Sequence, residues 1–446
     1  MTPDVDNGAS NLAVGPSPAL AWYTTLVLFV LTVIAMADRL AISMLIGPIK
    51  HEFGVGDFQA SLLVGAAFSL FYTIFLVPIG WASDHFSRRR VLFVCLAIWT
   101  FASVACGFAG SLLILFAMRM LVGAGEAGLA PSAHGIIGQN FPHERLAKPL
   151  ALQSVGMQVG AAIGVAASGA ILSAGATGAF AGIPIIADMS PWRVAFIAIG
   201  MPGLIALALV PTLHDPSGRP DRRAKSDASA PSVRPFLKRN WAMMALLYSG
   251  AGISAMAFGS VSAWMPEFMQ REYAISPAEA GASLGMIMLA AAVLSQATFS
   301  ALIDYLAGKG RLDAPLTVGI GPVAIAAVVA IVAYSADSTN AFLFWQFILL
   351  FLIIPCGGIY NTAVQQIAPP ALRSRLSSLL ILSISLLGFG AGPAMVGWLS
   401  EFVVGADRLG TAIAIVMSGA LCVTLVIVLL TIAPFVRYQR EKPGLQ

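Results

Sequence analysis

An aspartate and an arginine stand side by side, Asp38-Arg39, inside a long apolar stretch (AWYTTLVLFVLTVIAMADRLAISMLIGPI), and a second pair, Arg119 and Glu126, lies in another (MRMLVGAGEAGLAPSAHGIIGQN). Arg119 and Glu126 are about two helical turns apart, so they share a face. A charge at bilayer depth costs at least about 2.5 kcal/mol on insertion scales, so such residues turn toward a protein-lined or water-filled interior and mark an ion or substrate path. Two carboxylates and two guanidiniums meeting at one depth would form a network in which protonating an acid frees an arginine. That chemistry suits coupling a proton to an anion, because burial and a neighbouring arginine move a carboxyl group's proton affinity in opposite directions. The plainer reading of Asp38-Arg39 is a self-neutralising pair that pins neighbouring helices.

The elements that must hold these residues follow from composition. Of 446 residues, 58% are hydrophobic and 10% charged, with mean hydropathy +0.85, against about 25% charged in soluble domains. This is the composition of a polytopic membrane protein. At about 20 apolar residues per crossing, the chain divides into twelve transmembrane helices near 21–48, 58–83, 89–109, 111–138, 146–174, 193–212, 240–267, 278–306, 315–335, 340–367, 374–402 and 409–436. The expected fold is all-α, with two six-helix bundles. Span one and span four run in opposite directions, which places Asp38 and Glu126 at similar depth near the midplane.

The longest polar stretch, HDPSGRPDRRAKSDASAPSVRPFLKRN, separates the halves. It is too poor in apolar residues to order itself. The expected organisation is a tail at 1–20, an N-terminal bundle at 21–212, a linker at 213–239, a C-terminal bundle at 240–436 and a tail at 437–446. Of the 25 Lys and Arg, Lys50, Arg193, Arg271 and Arg408 fall on one side and Arg39 and Arg119 within spans. All others fall on the side of the termini, which the positive-inside rule makes cytoplasmic. The N-terminus has acids but no Lys or Arg, so it lacks the positive region of a cleaved signal peptide. A multi-pass protein of a bacterial inner or plasma membrane is expected.

The halves carry a weak internal repeat, GWASDHFSRRR after span two and SALIDYLAGKGR after span eight; repeated halves around a midplane site are a common transporter design. Gly80, Asp84 and the run Arg88-Arg89-Arg90 resemble the signature loop of the major facilitator superfamily, Gly-x-x-x-Asp-Arg/Lys-x-Gly-Arg-Arg/Lys. His85 and Ser87 depart from it, replacing a usual basic residue and a usual glycine. Gly80 would permit close helix approach, and Asp84 would accept bonds from arginine and from a helix N-terminus, closing a latch on the inner side. Taken without the repeat, the loop reads as a basic anchor that only sets topology.

M-A-D-R in span one, G-x-G-E-A-G-x-x-x-P in span four and F-P-x-x-x-R beyond it resemble the spinster branch, as do PPALRSRLSSLLILSISLLGFGAGPAMVGWLSE and SPWRVAFIAIGMPGL. That branch includes lysophospholipid and sphingosine-1-phosphate transporters. The resemblance implies alternating-access transport of an amphiphilic anion, with Asp38 and Glu126 in proton coupling and Arg39 and Arg119 binding or gating the head group. The anion:cation symporters of small organic acids share a similar Asp-Arg and a similar span four, and supply the alternative substrate class. Expected partners are thus a proton, an amphiphilic or organic anion and membrane lipid, with no cofactor, no metal and no nucleic acid, and the chain a monomer.

Other polar residues within spans have plainer readings. Gly156, Gly160, Gly164 and Ser168 form a small-residue stripe for helix packing. Gln153, Gln158 and Asn361 are candidate pocket amides, Asn361 for substrate, while Gln365 and Gln366 read as solvated. His134 and the four cysteines read as packing residues, and Trp264 as part of an aromatic belt. Gly281-Ala282-Ser283-Leu284-Gly285 matches a hydrolase pattern but sits in a membrane helix, not on a strand-to-helix elbow. With neither a Gly-Lys-Ser/Thr phosphate loop nor His-Glu-x-x-His, an enzyme reading has no footing. The repeated halves and latch loops favour a carrier over a channel.

Overall fold

The computed structural model describes residues 17–142, 145–215, 232–369 and 372–441. The expected linker's middle and the outer parts of both expected tails lie outside these residues. Twelve helices are long and apolar enough to cross a membrane: Pro18–Phe53, Asp57–His85, Arg88–Cys106, Leu112–Asn140, Ala147–Ala176, Pro191–Thr212, Trp241–Tyr273, Pro277–Gly308, Ala314–Tyr334, Thr339–Ile367, Arg375–Val404 and Ala406–Glu441. A short basic helix, Val233–Arg239, precedes span seven. Local sequence explains several ends: Ser17, Ser87, Ser111, Ser276 and Ser338 each cap a helix through the side-chain oxygen, occupying donors that have no intrahelical partner.

Two spans are broken at equivalent places in the two halves. Span four stops at Glu126 and resumes at Leu129. Pro131, four residues beyond Ala127, removes one helical donor and crowds the Ala127 carbonyl. Span ten breaks between Ile353 and Cys356 at Pro355. Spans two and eleven carry π-helical turns, Leu62–Ala66 and Ile384–Ala391, and there Gly65 abuts the backbone of Phe389 and Gly390 across the two halves.

The small-residue stripe of span five is a packing surface, as its spacing predicts. Gly156 lies against Phe29, Gly160 against Val33 and Met36, and Gly164 against the Ala37 backbone. Absence of side chains there lets span one approach closely and sets the depth of Asp38-Arg39. Gly164→Val is therefore expected to lower unfolding stability by about 1–3 kcal/mol through overpacking. Thermal unfolding of the purified chain checks this, with Gly321→Ala, where a Cβ meets nothing within 4 Å, as the neutral comparison.

One apolar cluster joins the halves on the side away from the termini, running from Ile42–Ile49 through Val261–Met269 to Ile413–Leu421. Nearer the termini the core is two separate clusters, one within each half. The molecule is thus closed on the side away from the termini, called outer for that position alone, and parted on the side of its termini. Trp264 belongs to the closed side and corrects the aromatic-belt expectation: its indole is fully buried, and Nε1 donates to the Pro393 carbonyl at 3.0 Å, because this face of span seven is turned toward span eleven.

Candidate functional site

The four membrane charges meet, and they pair crosswise. Arg39 Nη2 and Nε donate to Glu126 Oε2 at 2.5 and 3.1 Å, joining span one to span four. Arg119 Nη1 stands 3.8 Å from Asp38 Oδ2, and Ser103 of span three donates to Asp38 Oδ1. The Arg39 guanidinium also lies over Phe68 and Tyr72 of span two, 4.5 and 5.1 Å from the ring centres. Such contacts favour a cation that has left water.

Burial separates the members. Asp38, Arg119 and Glu126 are enclosed, while the Arg39 side chain keeps 18% exposure. Asp38 Oδ2, Glu126 Oε1 and all three Arg119 nitrogens make no hydrogen bond among the described residues. Buried charges with bonding capacity to spare are costly, and a proton or a change of partner relieves that cost. Of the two guanidiniums expected to meet substrate, Arg39 reaches the surface in this conformation. Arg119 is held behind it as the counter-ion of Asp38.

The loop after span two bonds residues of its own half. Asp84 is 64% exposed and pairs at 3.5 Å with Arg88 of its own bundle. Gly80 has nothing within 4 Å of a Cβ position, so in this conformation it makes no close helix approach. The three arginines have different surroundings: Arg88 also donates to the Gly135 carbonyl, Arg89 to the Pro211 and Leu213 carbonyls at the end of span six, and Arg90 lines a cleft beside spans two and three. Asn361 is exposed on span ten, on a stripe with Gly357 and Gln365, opposite the buried Tyr360, Ala363 and Val364. The site thus joins spans one, two, three and four of one half, with Asn361 standing in the other.

Several polar residues depart from their expected settings. Gln153 is a buried interhelical group, its amide 2.7 Å from the Thr32 hydroxyl. Gln366 is half-buried and accepts from Gln439 of span twelve, while Gln365 is exposed as expected and bonds Ser377. His134 is exposed, on the face opposite Ala133, Ile136 and Ile137. Cys422 is exposed too, while the other three cysteines are buried as expected.

A second cluster, on the outer face, escaped the sequence reading. Asp57, at the start of span two, accepts from Arg271 of span seven at 2.7 and 3.2 Å, from Ser400 of span eleven at 2.7 Å and from Lys50. Glu401 accepts the Phe58 N–H at 2.8 Å. Among the described residues, hydrogen bonds between the halves lie on this outer face. The signal was present: Lys50, Arg193 and Arg271, three of the few basic residues on the poor side, all pair with acids here, Arg193 with Glu52 at 2.6 Å.

The sequence profile of the Major Facilitator Superfamily matches residues 28–393. The chain belongs to that superfamily. It is a multi-pass membrane transporter with the superfamily's all-α, twelve-span fold, and it resembles spinster. The chain is 26% identical to an MFS-type efflux pump of Mycolicibacterium smegmatis, over 91% of this chain and 92% of that one. With protein spinster of Drosophila melanogaster it shares 24% identity, over 86% of this chain and 62% of that protein. A D-galactonate transporter of Escherichia coli O6:H1 is 24% identical over 62% and 66% of the two chains. Among solved structures, a bacterial homologue of the human lysosomal transporter spinster, in an inward-facing, unoccupied conformation, superposes with a TM-score of 0.76 at 23% identity, covering 96% of this chain and 98% of that one.

Proposed function

We propose that this superfamily member is a proton-coupled carrier of an amphiphilic anion, in the class of lysophospholipids and sphingolipid-like phosphates. The observation that carries the reading is the crosswise pairing in which Arg39, the partly exposed cation, is held by the enclosed Glu126. A substrate anion and the Glu126 carboxylate compete for one guanidinium. When Glu126 takes a proton, Arg39 is released toward the anion; when the proton leaves, the ion pair reforms and the anion is displaced. Asp38 and Arg119 repeat the arrangement behind it, so a proton on either acid redistributes charge across spans one, three and four. The apolar surround of Phe68 and Tyr72 suits a substrate with a hydrophobic part, and Asn361 offers an amide from the opposite half.

With the termini cytoplasmic, as the basic residues favour, the conformation is inward-open and the Gly80–Arg90 loop is an unfastened latch. Its Asp84, with Arg88, Arg89 and Arg90, would refasten in the outward-open state. The two halves are then units that rock about the site, with 21–212 and 240–436 as bundles and 213–239 as the link between them.

Proteoliposome uptake tests the reading. Saturable uptake of a lysophospholipid, driven by a proton gradient in the wild type and losing its pH dependence in Glu126→Gln and Asp38→Asn, is the expected result. Gradient-independent uptake, or unchanged pH dependence in both variants, would sink the proton role. The likeness to a D-galactonate transporter favours a second reading, symport of small organic anions by the same charges. Uptake of a sugar acid with none of the lipid would establish it.

A further inference from the structure

Arg90, the loop arginine left without an ion-pair partner among the described residues, stands at the mouth of a groove on the back of the N-terminal bundle. Spans two and three both pack against span four but diverge from one another beyond their tight turn. The cleft between them, about 500 Å³, is lined by Phe75 and Ile79 of span two, Val94 and Ile98 of span three, and Leu121 and Ala124 of span four, with Arg90 at one end. Its volume falls within the roughly 300–1,000 Å³ of ligand-binding clefts. At about 100° per residue, Leu121 and Ala124 lie on the face of span four opposite Arg119 and Glu126. The groove therefore opens to the bilayer, away from the charge cluster.

Its walls are apolar and accessible: Phe75, Val94, Ile98 and Leu121 are all exposed. From Ile98 to Arg90 is eight residues of continuous helix, or about 12 Å, which brings a chain lying in the groove up to the level of the side bearing the termini. The neighbouring charges are occupied. Arg88 pairs with Asp84, the Arg89 guanidinium donates to Pro211 and Leu213, and Asp215 accepts from the Ser87 hydroxyl and the Arg89 N–H. Among the described residues the Arg90 guanidinium has no ion-pair or hydrogen-bond partner, and its backbone N–H donates to the Ser87 hydroxyl. A guanidinium at headgroup level has the geometry to grip a phosphate with paired donors.

We infer that this groove is a resident-lipid site, which takes one acyl chain of an anionic diacylphospholipid from the leaflet on the side of the termini and holds its phosphate with Arg90. The site is independent of the transported substrate and of the proton chemistry. Charge complementarity selects an anionic headgroup over a zwitterionic one, and the apolar length selects a phospholipid over free phosphate. The occupant's chain supports the back of span four directly behind Arg119 and Glu126, ordering the helix that carries both.

Native mass spectrometry of the detergent-purified full chain, incubated separately with palmitoyl-oleoyl phosphatidylglycerol and the matching phosphatidylcholine, tests this. The wild type is expected to retain phosphatidylglycerol about fivefold better, the scale of one basic residue beside an anionic headgroup. Arg90→Gln should abolish the preference, Arg90→Lys should keep most of it, and Val94→Trp, which fills the groove without touching the charge, should reduce retention of both lipids. Equal retention of the two lipids by the wild type, an undiminished preference in Arg90→Gln, or full retention in Val94→Trp would each overturn the assignment.

Discussion

Arg119→Leu is expected to cost about 3–5 kcal/mol of stability, the usual penalty for removing one partner of a buried ion pair, and to abolish transport. Arg119 is fully enclosed, its ion-pair partner is Asp38 at 3.8 Å, and Asp38 would be left with the Ser103 hydroxyl alone. The penalty comes mainly from the orphaned carboxylate. It follows that Asp38→Asn/Arg119→Leu should regain most of the lost stability while remaining inactive. Unfolding midpoints of the two variants in the same detergent, with uptake measured alongside, check both halves of the prediction. An unchanged midpoint in the single variant, or no recovery in the double one, would show that the pair does not act as a unit.

The outer face should respond just as strongly to Asp57→Asn. Asp57 takes bonds from Lys50, from both terminal nitrogens of Arg271 and from Ser400, so one carboxylate ties the N-terminal bundle to spans seven and eleven of the other. An amide has one acceptor oxygen and turns donors toward donors. Truncating one side of a buried, hydrogen-bonded charge pair costs about 2–5 kcal/mol, and about 5.5 kcal/mol moves a two-state equilibrium from 1:99 to 99:1. The expected result is a large shift toward opening on this face. Spin labels at the exposed His51 and Glu272 would report it as a longer distance population in Asp57→Asn, and an unchanged distribution would mean that the apolar cluster beneath, not the carboxylate, keeps the face shut.

Much of this was legible in one dimension. Span positions follow from the length of apolar runs, because the bilayer sets that length. The breaks of spans four and ten near Pro131 and Pro355 were not legible in this way, since Pro48, Pro78, Pro202, Pro266, Pro322 and Pro434 sit inside unbroken helices. Gly156, Gly160 and Gly164 announced a packing face by their spacing alone. Trp264 shows the limit. Its place near a span end suits an interfacial belt, yet its environment is set by span eleven, more than a hundred residues away.

The charge cluster divides in the same way. Sequence located Asp38, Arg39, Arg119 and Glu126 and placed Asp38 and Glu126 at similar depth, since the cost of a membrane charge and the helical rise are properties of the chain itself. Which acid pairs with which arginine depends on the rotation of span one against span four, fixed by side-chain packing between distant segments. So does the outer cluster, since Asp57 is an ordinary helix-start acid until Arg271 and Ser400 are brought to it. The sequence by itself determined the fold class, the family likeness and the residues that carry charge into the membrane. Only the tertiary structure decided their partners, the exposure of Arg39 beside the enclosed Arg119, and the face on which the transporter is closed, because those depend on non-local contacts that no single stretch of chain encodes.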